Sequence, residues 1–234
     1  MNTTLINIPK VQKRSTEVKA ADLLRDAIVS GAIPLGTRLT EISSSEQLGV
    51  SRGTVRAAFH QLVQEGLVIQ TPYTGWSVMN LSPEDAWELY TLRGSLEALA
   101  ARLVTLRVQK EGVSGFTFTA ISKAVEALKT ACLRGDNREI ASADMALHKT
   151  IIDLTQHSRL IDQYSRIQPQ ILIYIQSSDA LASEGAQIMD QHQPLIEAIE
   201  AMDEQAAMNC AMQHNETEGA ILVEHLKTMS HMIT

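Results

Sequence analysis

Residues 48–67, Leu-Gly-Val-Ser-Arg-Gly-Thr-Val-Arg-Ala-Ala-Phe-His-Gln-Leu-Val-Gln-Glu-Gly-Leu, read as the end of one short helix, a glycine turn, and a second helix with two unlike faces. Val55, Phe59, Leu62 and Val63 recur at helical spacing and form an apolar stripe, while Arg52 and Arg56, four apart, share the opposite side. Ser51 stands where an N-cap belongs, Thr54 projects near the arginines, and Gly49 and Gly66 punctuate the two ends. A helix that enters the DNA major groove needs this division of labour. Donors on its first turns reach phosphates and base edges, and apolar residues behind them fix it to its module. An arginine pair on an amphipathic helix is equally compatible with plain solvation, so the flanking elements decide between the two readings.

On the N-terminal side, Val18, Ala21, Leu24, Ala27 and Ile28 predict a helix over 15–30 that stops at Gly31. A turn around Pro34 and Gly36 leads to a short helix over 41–48. On the other side, Leu-Val-Ile-Gln-Thr-Pro-Tyr-Thr-Gly-Trp-Ser-Val, residues 67–78, alternates around Pro72 and Gly75 as a hairpin does, with Tyr73, Thr74 and Gly75 at its tip. Helix, helix, helix, hairpin is the outline of a winged helix-turn-helix over 15–80, preceded by a flexible tail over 1–14. His60 lies more than a turn beyond Arg56 and is expected to be a half-buried structural residue.

From residue 82 onward the pattern predicts helices over about 84–107, 116–134, 136–156, 158–177, 182–202 and 203–230, and no convincing strand. Ile171–Gln176, an apolar run, is ambiguous by itself and is assigned to a helix because its neighbours are helical. The fold class is therefore mainly α: a winged helix-turn-helix followed by an all-helical domain over 81–234.

The 234 residues are 44% apolar, 20% charged and 4% aromatic, which excludes intrinsic disorder and an aromatic base-stacking platform. No run approaches membrane-spanning length and the first residues lack a secretory pattern, so a cytoplasmic protein without membrane contact is expected. Cys132 and Cys210 are far apart, lack a C-x-x-C partner, and read as buried thiols. The net charge of −7 is uneven: residues 1–80 carry eight Lys and Arg against six acids, and the rest twelve against twenty-one. A mildly basic head on an acidic body suits a chain whose head meets a polyanion.

In the body, Asp144 and His148 are four apart on the same side as Ile140, Leu147 and Ile151. His192 belongs to the stripe Leu195, Ile196, Ile199, and His214 stands a heptad from Ala207 and Ile221. Burying a carboxylate among three imidazoles is costly, whereas a divalent cation uses all four. The alternative is that each histidine bonds a carbonyl and Asp144 pairs with His148. H-E-x-x-H is absent and no Glu precedes a His by three residues, so no hydrolytic or di-iron motif is present.

Leu24, Ile28, Gly31, Pro34, Gly36, Arg38 and Leu39, then Leu-Gly-Val-Ser-Arg-Gly-Thr-Val-Arg and Gln-Leu-Val-Gln-Glu-Gly-Leu-Val, then Gly75, resemble the DNA-binding domain of GntR-type bacterial regulators. Asp144-x-x-x-His148, the segment around His192, His214 and the helix Glu-Leu-Tyr-Thr-Leu-Arg-Gly-Ser-Leu-Glu-Ala resemble the FCD effector domain of the FadR subgroup. The resemblance implies that Arg52 and Arg56 contact operator DNA, with Arg38 and the wing near Gly75 at the backbone. It implies that Asp144, His148, His192 and His214 hold a divalent ion, usually zinc or nickel, and that a small organic-acid effector completes the shell. Arg93 matches a pocket-facing arginine that would clamp the acid; its other reading is an ion pair with Glu97. It further implies a homodimer on a palindromic operator, most often as a repressor.

Three departures stand out. Ser43–Ser45 replace a Leu-Ala pair that packs the short helix, a contact Ile42 is expected to take over, and His157 replaces an Asn. Gly53, Thr54, Ala57, Ala58 and Phe59 also depart from the family's recognition-helix pattern. The alternative function, a metal-dependent hydrolase or lyase with an accessory winged-helix module, lacks a placed general base.

Overall fold

The computed structural model describes residues 15–179 and 185–232, so the expected tail over 1–14 lies outside the described residues. The chain divides into two compact units, Met1–Met79 and Asn80–Thr234.

In the first unit, α1 (Thr16–Val29) is capped by Ser15, whose Oγ accepts the Val18 N–H, and buries Ala20, Ala21, Leu24 and Ile28. A two-residue strand β1 (Arg38–Leu39) leads into α2 (Glu41–Leu48), capped by Thr40. Gly49 ends α2 at φ 65°, a left-handed conformation that disfavours a side chain. After it α3 (Arg52–Gln64) starts under the Ser51 cap and packs against α1 through Val55, Ala58, Phe59 and Leu62. β2 (Val68–Thr71) and β3 (Gly75–Val78) form the hairpin, pairing Val68 with Val78 and Thr71 with Gly75. β1 adds to the free edge of β3, giving the order β1-β3-β2. This is a winged helix-turn-helix, and β1 is too short for its alternation to be visible in the sequence.

Two local expectations are corrected. Ile42 is 50% exposed and does not replace the missing packing of α2; the buried residue is Ser44. The helical phase of α2 turns the small hydroxyl inward and the isoleucine out. His60 is exposed rather than half-buried, and its ring sits edge-on to Trp76 at 4.9 Å.

The second unit is helical throughout its described residues. α4 (Pro83–Glu111) begins with a Ser82 cap and Pro83 in the first turn, followed by α5 (Phe116–Arg134), α6 (Asn137–Leu154), α7 (Ser158–Asp179), α8 (Gly185–Glu200) and α9 (Glu204–Met232). Residues 171–176 lie within α7, where Ile171, Ile173, Tyr174 and Ile175 are all buried. Burial reaches around most of the helix only within this run, which explains its local ambiguity, whereas the first half of α7 keeps a helical period with Leu160 and Tyr164 buried between exposed residues. α7 continues through Pro169, and His157 is exposed and caps α7 by accepting the Leu160 N–H at Nδ1. Cys132 and Cys210 are half-buried rather than buried.

The long helices α4 and α9 pack closely because each presents a glycine. A Cβ on Gly219 would meet the Cβ of Tyr90 at 2.8 Å, and one on Gly94 would meet that of Asn215 at 3.2 Å. These contacts set the register that brings the polar residues of α4 and α9 to one level.

Candidate functional site

α6 carries Asp144 and His148 one turn apart on its buried face, flanked by Ile140, Leu147 and Ile151. α8 contributes buried His192 and α9 contributes half-buried His214. One nitrogen from each of the three imidazoles lies within 4.8 Å of the others. His192 Nε2 is 3.1 Å from His148 Nε2 and 2.9 Å from Asp144 Oδ1, and His148 Nε2 is 3.8 Å from the same oxygen. The four residues expected to converge are therefore neighbours.

Their hydrogen bonds decide which nitrogens are available. His148 Nδ1 is 3.0 Å from Glu97 Oε2, and His192 Nδ1 is 2.7 Å from the Ile188 carbonyl. Both partners accept, so each Nδ1 carries a proton and each neutral ring turns the lone pair of Nε2 inward. Two lone pairs then face each other at 3.1 Å beside a carboxylate oxygen that, despite its 2.9 Å approach to His192, has no hydrogen-bond partner. A divalent cation would relieve that arrangement, as would a proton shared between His192 and Asp144, and a backbone carbonyl and a carboxylate behind the imidazoles are the usual supports of a metal centre. Asp, His, His, His fits zinc or a similar divalent ion.

The titration behaviour agrees with this geometry. Burial disfavours the charged forms of all these groups, yet the Asp144 carboxyl is held well below its ordinary range because His192 and His148 lie against it. Burial also opposes protonation of His192, but Asp144 outweighs it and raises that ring. His214 is depressed well below the usual imidazole value by burial and by the two neighbouring histidines, which leaves its lone pair free.

Behind the imidazoles stands a group that sequence reading treated only as a pairing partner. Glu97 is 4% exposed and receives the Arg93 Nε–H at 2.8 Å, the Tyr164 hydroxyl at 2.7 Å and the Asn215 amide at 2.8 Å, besides His148. Burial would raise the Glu97 carboxyl, but Arg93 and His148 together hold it well below the usual range. Arg93 pairs with Glu97, and its buried Nη2 has no hydrogen-bond partner. The signal for Glu97 was an acid one turn from Arg93 among small apolar residues; Tyr164 and Asn215 gave none, because their partners are 67 and 118 residues away.

A cavity of about 210 Å³ opens on His214 and is lined also by Glu218, Cys210 and Asp190. Glu218 Oε1 is buried without a partner, and burial followed by the Asp144 charge raises its carboxyl. A larger cleft of about 580 Å³ runs along α4 and α9 past Trp87, Tyr90 and Val223, and none of the three imidazoles lines it.

In the first unit, Arg52 and Arg56 are exposed on α3, Arg56 being 59% exposed and bidentate to Glu41, with both contacts at 2.8 Å. That bond to Arg56 lowers the Glu41 carboxyl. Thr54 is half-buried with its hydroxyl 2.9 Å from that of Ser51, so Ser51 is engaged as the helix cap. Arg38 reaches across the sheet to donate to the Thr74 carbonyl at 2.8 Å, tying β1 to the wing tip, where Tyr73 is fully exposed and Gly75 has φ 101°.

Residues 16–78 match the family model for bacterial regulatory proteins of the gntR family, and residues 88–217, more than half of the chain, match the FCD domain model. The gluconate operon transcriptional repressor of Bacillus subtilis (strain 168) is 29% identical over 229 residues, covering 95% of this chain and 91% of that protein. A Paenarthrobacter nicotinovorans protein described as "Probable D-xylose utilization operon transcriptional repressor" is 28% identical over 208 residues, 86% of this chain and 88% of the relative. A solved GntR regulator from Rhodococcus sp. RHA1 shares the fold with a TM-score of 0.73 at 22% identity, covering 90% of this chain and 99% of that one. The matched domains and relatives are regulators, which leaves the hydrolase alternative without support. A DNA-binding head of gntR type joined to an FCD domain makes this chain a member of the GntR family of bacterial transcriptional regulators.

Proposed function

We propose that the protein is a metabolite-responsive repressor whose helical domain holds one divalent metal ion, zinc or nickel, through Asp144, His148, His192 and His214. The observation that carries this reading is the pair of Nε2 atoms 3.1 Å apart with their lone pairs turned toward each other, both rings locked in that tautomer from behind. A bound divalent ion supplies Lewis acidity that attracts an anionic oxygen donor. The buried, unpartnered Nη2 of Arg93 offers a small carboxylate a charge-assisted hydrogen bond at the same site, while Glu97 holds the guanidinium in place. Two relatives are named for gluconate and D-xylose operons, which supports a small metabolite as the signal.

In the head, Arg52 and Arg56 read the major groove from the first turns of α3, Thr54 lies beside them, and Ser51 fixes the helix start. Arg38 and the wing at Gly75 meet the DNA backbone. The protein acts as a homodimer, so that two such helices address the halves of a palindromic operator. Full release needs the acid to favour one state over the other by about 5.5 kcal/mol, the span from 1:99 to 99:1.

Elemental analysis of untagged protein tests the centre: one metal per chain is expected, falling sharply in His192→Ala and Asp144→Ala. A selected operator duplex, followed by fluorescence anisotropy with a panel of organic acids, tests the response. Absence of metal under saturating zinc, or operator affinity indifferent to every acid, overturns the reading.

A further inference from the structure

We infer that Tyr73 is a DNA-contacting residue that grips the sugar-phosphate backbone whatever the sequence, and that the wing tip gives up stability to hold it there. The inference rests on the DNA reading of the head above. Residues 71–74 form the tight turn between β2 and β3, closed by the Thr74 N–H donating to the Thr71 carbonyl at 3.2 Å, with Pro72 second and Tyr73 third. Tyr73 has φ 64°. Proline second and a positive φ third mark a turn whose third residue is ordinarily Gly or Asn, because a larger side chain strains the left-handed backbone. Among the described residues, Gln156 and Met202 are the other non-glycines with positive φ. Each follows a helix and closes its last turn, through the Asp153 and Ile199 carbonyls respectively. Tyr73 closes no helix. Its side chain is fully exposed, so no burial within the chain offsets the strain. An aromatic ring held in a strained pose without support from its own chain has its use outside the chain.

The surroundings of the ring say what it meets. Arg38 is exposed and reaches the same tip, donating to the Thr74 carbonyl at 2.8 Å, and a guanidinium carries four more N–H groups. Residues 67–78 contain no acid, so the tip presents a positive charge, one hydroxyl and one flat apolar ring. A duplex backbone complements all three: its phosphate oxygens accept from the guanidinium and the hydroxyl, and its sugars pack against the ring. Base edges fit less well, because a single hydroxyl both donates and accepts and cannot tell one base pair from another. The Thr74 hydroxyl also donates to the Thr71 carbonyl, at 3.3 Å, which fixes the turn before DNA arrives and reduces the ordering cost of binding.

The test uses full-length protein in a Trp87→Phe background, where Trp76, buried in β3, is the remaining tryptophan and its fluorescence reports unfolding of the head. Tyr73→Gly and Tyr73→Asn relieve the strain and are expected to raise the urea midpoint by about 0.2–0.5 M. The same two variants should bind a selected operator and an unrelated duplex of equal length more weakly by one common factor, about three- to tenfold. Tyr73→Phe keeps both ring and strain, so its midpoint stays at the parent value and most of the affinity remains. The phenol is uncharged, and the dependence of affinity on salt is therefore the same in all three variants as in the parent. A midpoint at or below the parent value in both the Gly and Asn variants shows the ring to be supported inside the protein and overturns the inference. So does unchanged affinity for both duplexes, a loss confined to the operator, or a salt slope lower by about one, which would assign the loss to a displaced Arg38. Parent protein that binds neither duplex overturns the DNA reading itself, which separates the two failures.

Discussion

Each unit contains an arginine whose Nε donates to a glutamate Oε1 at 2.8 Å, and the two pairs have opposite meanings. In the head, the Arg56 and Glu41 side chains are 59% and 20% exposed and joined across two helices, so water screens the pair and its removal leaves no stranded charge. In the body, the Arg93 and Glu97 side chains are 2% and 5% exposed, and each would be stranded without the other. Equal distances thus describe a loose surface fork in one unit and an interlocked support in the other. Environment decides what a contact does.

The sharpest way to break that contrast is Glu97→Ala. It leaves Arg93 charged and buried and removes the acceptor of His148, Tyr164 and Asn215, so a loss of about 3–5 kcal/mol is expected in urea unfolding of the metal-free protein. A loss under about 1 kcal/mol would show the network to be dispensable.

Arg52→Ala and Arg56→Ala are expected to weaken operator binding about ten- to hundredfold each, with metal content and urea midpoint unchanged. Anisotropy titrations check this, and wild-type affinity in both variants would remove α3 from the DNA interface.

Metal affinity should respond to acid with a defined sign. Asp144 raises His192, so a proton competes for that nitrogen already above the ordinary imidazole value of about 6.5. Affinity therefore falls as pH drops through that raised value, by about tenfold per unit once one proton must be displaced. Asp144→Asn removes the cause and moves the onset to lower pH. Chelator competition between pH 8 and 5.5 measures both, and a flat profile would contradict His192 as a ligand.

The smallest effect belongs to the head's local chemistry. Ser51→Ala removes the oxygen that accepts the Thr54 N–H and is expected to cost about 1 kcal/mol of thermal stability, without altering metal content.

The head was the more legible unit because its signals are local. Caps at Ser15 and Ser51, the turn at Gly49 and the hairpin between Val68 and Val78 each depend on residues within a few positions of one another. What escaped there was β1, whose two residues become a strand only by pairing with β3, and the orientation of α2, where Ser44 rather than Ile42 faces inward. In the body, helical periodicity placed Asp144, His148, His192 and His214 on inward faces. It gave no hint of Tyr164 or Asn215, whose roles depend on a partner from another helix.

The amino-acid order alone determined the helices, the division into a mildly basic head and an acidic body, and which titratable groups would be hidden, because periodicity and charge are properties of short stretches. Tertiary structure alone decided that the hidden groups share one place, that Nε2 rather than Nδ1 of His148 and His192 faces it, and that Arg93 keeps a nitrogen unspent. Those outcomes follow from the register of α4 on α9 and from acceptors supplied by distant segments, and no local pattern encodes the distance between two helices.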